Sequence, residues 1–186
     1  MENYHFIFSL LILTSSVSFS CKKNSTTDTT ITTTTSTFTV SSTAFTNNGT
    51  FPKLYTCDST GISPKLSWAN IPAGTTSFAV VMYHIPPTPP NHVYMLLYNI
   101  PVSTTSIPDA VSGFGIFGQN TVTPILGYAP PCSQGTGAKL YTITVYALSS
   151  PPLFTVAAAQ VTRDIFLAAI SNKTIATSEI NVNYTR

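Results

Sequence analysis

Residues 140–148 read Leu140-Tyr141-Thr142-Ile143-Thr144-Val145-Tyr146-Ala147-Leu148, and this run decides the fold class. Tyr141, Ile143 and Val145 alternate with Thr142 and Thr144, the period of two that puts successive side chains on opposite faces of a strand. The pattern is that of a strand buried on one face.

Working outward, β-rich runs recur at residues 38–45, 66–68, 77–85, 92–100 and 180–184, separated by Pro, Gly and Asn clusters. Short strands at this spacing predict a sandwich of sheets. Phe78 to Met82 is apolar at every position, so that strand is expected to be central, with both faces covered. One helix is predicted at residues 162–170, with Thr162 as N-cap, Asp164 in the first turn, and Ile165 and Ala169 sharing a face. No internal repeat appears.

The 186 residues suffice for one well-buried domain. Charged residues make up only 8% against 43% hydrophobic, where an average soluble protein carries about 25% charged residues. Solubility therefore rests on Thr, Ser and Asn. The net charge of +2 is scattered, with Lys22 and Lys23 the only adjacent cations. Without a basic stripe, nucleic acid is excluded as a partner.

The amino-terminal region carries an apolar run at residues 6–13, too short to span a bilayer and suited to a secretory signal peptide. It is followed by Ser18-Phe19-Ser20-Cys21, which resembles the lipobox of bacterial lipoproteins. The resemblance implies a signal peptide at 1–20, an acylated Cys21 and attachment to a membrane of a bacterial cell envelope. The alternative is ordinary cleavage near Ser20, giving a secreted protein. Residues 21–37 are dominated by Thr and Ser, too polar to offset the entropy of ordering, and are read as a tether to a domain at 38–186.

Within that domain stand Phe51-Pro52-Lys53-Leu54-Tyr55-Thr56-Cys57-Asp58, Ile62-Ser63-Pro64-Lys65-Leu66-Ser67-Trp68, Ile71-Pro72-Ala73-Gly74-Thr75, Leu97-Tyr98-Asn99-Ile100-Pro101, Gly127-Tyr128, Pro130-Pro131-Cys132 and the 141–148 strand. In this order and spacing the set resembles the phosphatidylethanolamine-binding protein family, in its bacterial Raf kinase inhibitor-like branch. The resemblance implies antiparallel sheets packed face to face and a few short helices, one near the carboxyl terminus. It also implies a small pocket at one end that accepts phosphate-like or other anionic groups. Some family members bind and inhibit kinases or other signalling proteins.

The pocket positions depart from the family pattern. An expected Asp-Pro-Asp-Ala-Pro segment falls on His84-Ile85-Pro86-Pro87-Thr88, an expected pocket His falls on Tyr94, and a second falls on Lys139. His92 shares the strand face of Tyr94. The candidate ligand-binding set is His84, His92, Tyr94, Pro131, Cys132, Ser133, Lys139 and Tyr141, with backbone N–H groups of the turn at 135–137 as further donors. His for Asp removes a negative charge and Lys139 adds a positive one, so the rebuilt pocket is expected to favour phosphate, sulfate or carboxylate. Cys57 and Cys132 are the only cysteines of the domain; in an oxidising compartment such a pair is expected to form a disulfide.

The reading is a binding protein for a small anionic ligand or phospholipid headgroup, with no catalytic residue, metal or cofactor assigned. A protein-interaction or inhibitor module with a vestigial pocket is the alternative. A hydrolase built from Cys132, His84 or His92, and Asp58 is disfavoured, because the domain holds only Asp58, Asp109, Asp164 and Glu179 as carboxylates and no recognisable nucleophile motif.

Overall fold

A computed structural model describes residues 37–186, apart from Pro124. The expected signal peptide, the expected acylation site Cys21 and all but the last residue of the expected tether lie outside the described residues.

The 140–148 run forms most of β8 (Lys139–Leu148), which lies between β9 (Thr174–Tyr184) and β4 (Ser77–His84), antiparallel to both. β4 pairs in turn with β5 (His92–Pro101). Short β2 (Gly49–Thr50) and β7 (Ile116–Phe117) close the edges, giving the order β2-β9-β8-β4-β5-β7, in which only the β2–β9 pair is parallel. A smaller sheet holds β1 (Thr39–Ser41), β3 (Leu66–Ala69) and β6 (Ser106–Ile107) in the order β1-β3-β6. The described residues are mainly β, with two sheets and, among them, one short α-helix, as the sequence predicts.

The sheets bury one core between them, in which Trp68 and Phe38 of the small-sheet side meet Phe78 at ring separations of 5.2 and 6.2 Å. β4 is central and buried on both faces along Phe78 to Met82, as its unbroken apolar run requires. Its outer face, with Ala79, Val81, Leu96, Tyr98, Tyr146 and Leu148, is covered by Val161 and by α1 (Arg163–Ile170). One-sided burial of β8 therefore holds only near Tyr141: Thr144, Tyr146 and Leu148 are buried too, because α1 and its approach lie over them.

Three local expectations are corrected. β1 stops at Ser41 rather than at residue 45, since the Ser42 hydroxyl donates to the Lys65 carbonyl at 2.8 Å and accepts from the Ala44 N–H, turning the chain. β9 starts at Thr174 rather than at 180, because its first half pairs with β8 chiefly through the backbone ladder, with the Thr144 hydroxyl donating to Glu179, and shows little apolar alternation. In α1 the core face is Phe166 and Ile170, while Ile165 remains 40% exposed and Ala169 only partly covered. Phe166 meets the Tyr146 ring edge-on at 5.6 Å, a larger apolar contact than Ile165 and Ala169 would give.

Thr162 caps α1 by accepting the Ile165 N–H at 3.2 Å. Thr162→Ala is expected to lower folding stability by about 1 kcal/mol, read as a shift of the urea midpoint. An unchanged midpoint would mean that the cap contributes nothing.

Candidate functional site

β4 ends at His84, the chain returns at His92 to start β5, and β8, antiparallel to β4, starts at Lys139 beside them. The topology thus brings three strand ends to one edge of the sheet. His84 and His92 are register partners with rings 6.2 Å apart. Tyr141, two residues into β8, stands 5.5 Å from the His84 ring and 5.2 Å from the Tyr94 ring.

Tyr94 owes its direction to a bulge. Met82 pairs with Met95 and Tyr83 with Val93, so Tyr94 is an extra residue opposite no partner. A bulge re-aims side chains, and here Tyr94 and Met95 both face the inter-sheet core instead of alternating.

Together these residues line a cavity of about 140 Å³, completed by Pro86 and Pro87 from the β4–β5 connection and by Cys132, Ser133 and Gln134 from the segment before β8. Pro131 is buried behind that wall and is not among the lining residues; its carbonyl accepts the Cys57 N–H at 3.1 Å. The turn at Gly135 and Gly137, with φ of +81° and +93° that favour glycine, also stays off the wall.

The segment before β8 is held at several points. Ala129 N–H donates to the Tyr94 carbonyl at 2.8 Å, and Lys139 Nζ donates to the Gln134 carbonyl. Cys57 and Cys132 are joined, with Cα atoms 5.3 Å apart. With its sulfur in that bond Cys132 is no thiolate nucleophile. Asp58 is occupied by Arg186 at 2.9 Å and by the Tyr184 hydroxyl.

Hydrogen bonding sets the chemistry of the wall. His84 Nδ1 lies 2.7 Å from the Leu140 carbonyl; a carbonyl only accepts, so Nδ1 carries the proton and Nε2 is the nitrogen left for a ligand. Burial, reinforced by neighbouring Tyr141, pushes the Tyr94 phenol well above its usual range, and burial also raises Tyr141. Both stay protonated at neutral pH and act as hydrogen-bond donors. The Tyr141 hydroxyl lies close enough to those of Tyr94 and Ser133 to feel them, yet it forms no well-aligned hydrogen bond. Tyr141 Oη and Ser133 Oγ are both buried and without a protein partner. Such orphaned hydroxyls cost stability unless something else satisfies them.

A second cavity, of about 270 Å³, shares His92, Tyr94, Cys132 and Gln134 with the first and adds Thr121 and Val122. No sequence signal points to these two residues. Thr121 reaches the site because its N–H and hydroxyl exchange hydrogen bonds with the Val93 backbone at 2.9 and 2.8 Å.

The profile of the family described as phosphatidylethanolamine-binding protein matches residues 41–185. A UPF0098 protein of Chlamydia muridarum is 29% identical over 151 residues, covering 78% of this chain and 97% of that protein. A UPF0098 protein of Aquifex aeolicus is 35% identical over 121 residues, covering 59% of this chain and 67% of the relative. Among solved structures, a phosphatidylethanolamine-binding protein homologue of Chlamydia trachomatis superposes with a TM-score of 0.72 at 27% identity, covering 81% of this chain and 98% of its own. E. coli YbcL, described as a new member of the mammalian PEBP family, gives a TM-score of 0.72 at 23% identity, covering 81% of this chain and 99% of its own, a likeness of fold alone.

Proposed function

The chain belongs to the phosphatidylethanolamine-binding protein family, and from that premise we propose that it is an exported binding protein that captures a small anionic or phosphorylated ligand in the cavity at the His84 end of its larger sheet. The observation that carries this reading is the pair of buried, unpartnered hydroxyls, Tyr141 Oη and Ser133 Oγ, in a wall that also holds His84 and Lys139 and no carboxylate. The Lys139 ammonium and the two hydroxyls are donors suited to an oxyanion, since charge-assisted hydrogen bonds are stronger than neutral ones. In this reading Cys21 carries a lipid that attaches the domain to a membrane of the cell envelope.

The test is thermal stabilisation of the full chain by phosphate, sulfate, phosphoethanolamine and nucleotides, for the parent and for Lys139→Ala and His84→Ala. Anions that bind should raise the melting temperature through mass action, and each substitution should weaken binding about tenfold, the loss of one charge-assisted contact. Stabilisation by no anion would remove this reading and leave protein interaction as the function to pursue.

A further inference from the structure

We infer that the ligand is an organic monoester of an oxyanion, its anionic head seated by His84, Lys139, Tyr141 and Ser133 and an uncharged arm lying against Thr121 and Val122. This rests on the anion-binding reading and narrows its ligand class. The cavities of about 140 and 270 Å³ share four wall residues and are two compartments of one cleft. A bare phosphate occupies only the compartment that offers it charged donors.

The second compartment is built differently. Its own residues, Thr121 and Val122, are uncharged, and Val122 is 42% exposed on a segment that also presents Ile125 at 72% and Leu126. Asn120, buried beneath, fixes this segment: its Oδ1 accepts from the N–H groups of Val122 and Thr123 at 3.0 and 2.7 Å, and its Nδ2 donates to the Ile125 carbonyl at 2.7 Å. The wall at Thr121 and Val122 is therefore formed before the ligand arrives, which spares the cost of ordering it on binding.

A cationic arm finds no counter-ion there. Asp58 is paired with Arg186, Asp109 accepts the Lys65 N–H, Glu179 accepts the Thr144 hydroxyl, and Asp164 lines a separate cavity with Arg163. None of the four lines either compartment, whereas Lys139 and two histidines stand close by. An ammonium group carried into the cleft would be desolvated among donors.

The decisive comparison uses isosteres. By calorimetry on the full chain, n-propyl phosphate should bind about tenfold tighter than inorganic phosphate, the return on partly burying three carbons. It should also bind about tenfold tighter than phosphoethanolamine, which differs from it only in carrying an ammonium for the terminal methyl. Val122→Asp, at a half-exposed position, should invert the order of the two esters. If inorganic phosphate binds but n-propyl phosphate gains nothing, or phosphoethanolamine binds as well as its isostere, the uncharged-arm assignment is wrong and the anion site stands. If neither phosphate nor any ester binds, both fall together.

Discussion

Replacing Cys57 and Cys132 together by serine is expected to lower folding stability by about 4 kcal/mol. The two cysteines are 75 residues apart in sequence, and a cross-link closing a loop of that length removes about that much chain entropy from the unfolded state. The effect reaches the site as well, because Cys132 lines the cleft and precedes the unpartnered Ser133 hydroxyl. Without the bridge this wall keeps the Cys57 N–H to Pro131 carbonyl bond and loses its covalent tie. Anion affinity should therefore fall along with stability. Urea denaturation of the double variant measures the first effect and calorimetry the second. Intact mass after alkylation, with and without reductant, checks the premise, and two freely alkylated thiols in unreduced protein would remove it.

Tyr141→Phe is expected to separate stability from binding. The Tyr141 ring is fully buried and packs against Tyr94, His84 and Phe51, and phenylalanine reproduces that packing. What disappears is a buried hydroxyl with no protein partner. Deleting it should leave the fold unchanged or more stable by about 1 kcal/mol, since an unsatisfied buried hydroxyl opposes folding. A hydrogen bond to an ionised ligand contributes about 1.5–3 kcal/mol, so anion affinity should fall roughly tenfold to a hundredfold. Destabilisation of 1 kcal/mol or more without loss of affinity would show that the hydroxyl serves the fold and not a ligand.

The division between what the sequence discloses and what it hides follows the physics of each element. β4, β5 and β8 are legible because their apolar residues must be buried, and burial imposes a readable period. The cap of α1 is legible because few residue types accept a backbone N–H at a helix start. The core-facing side of α1 is not, since Ile165 with Ala169 and Phe166 with Ile170 are both plausible apolar pairs and only the partner surface chooses between them. The first half of β9 is hidden for a different reason: backbone pairing imposes no apolar alternation on its largely polar side chains.

At the site, His84, His92, Tyr94, Lys139 and Tyr141 could be named from sequence because they sit at strand ends that the family resemblance brings together. Adjacency to Cys132 points to Pro131 as well, but its carbonyl is turned to Cys57, and the wall begins one residue later. Thr121 and Val122 reach the cleft through an irregular loop fixed by one asparagine, and such a loop has no periodicity to read.

The bulge in β5 bears on how this molecule can change. Register with β4 holds on either side of Tyr94, over Val80–Leu97 to Met82–Met95 and over Tyr83–Val93 to His84–His92, so removing that single residue would leave these pairs in place. Ladder pairing has no use for Tyr94, which gives the strand only its carbonyl bond to Ala129 and, through its ring, one wall of the cleft. A lineage could thus gain or lose this phenol by inserting or deleting one codon, with every neighbouring pair intact. Length variation at this position, more than substitution, is where relatives with a differently furnished cleft should be sought.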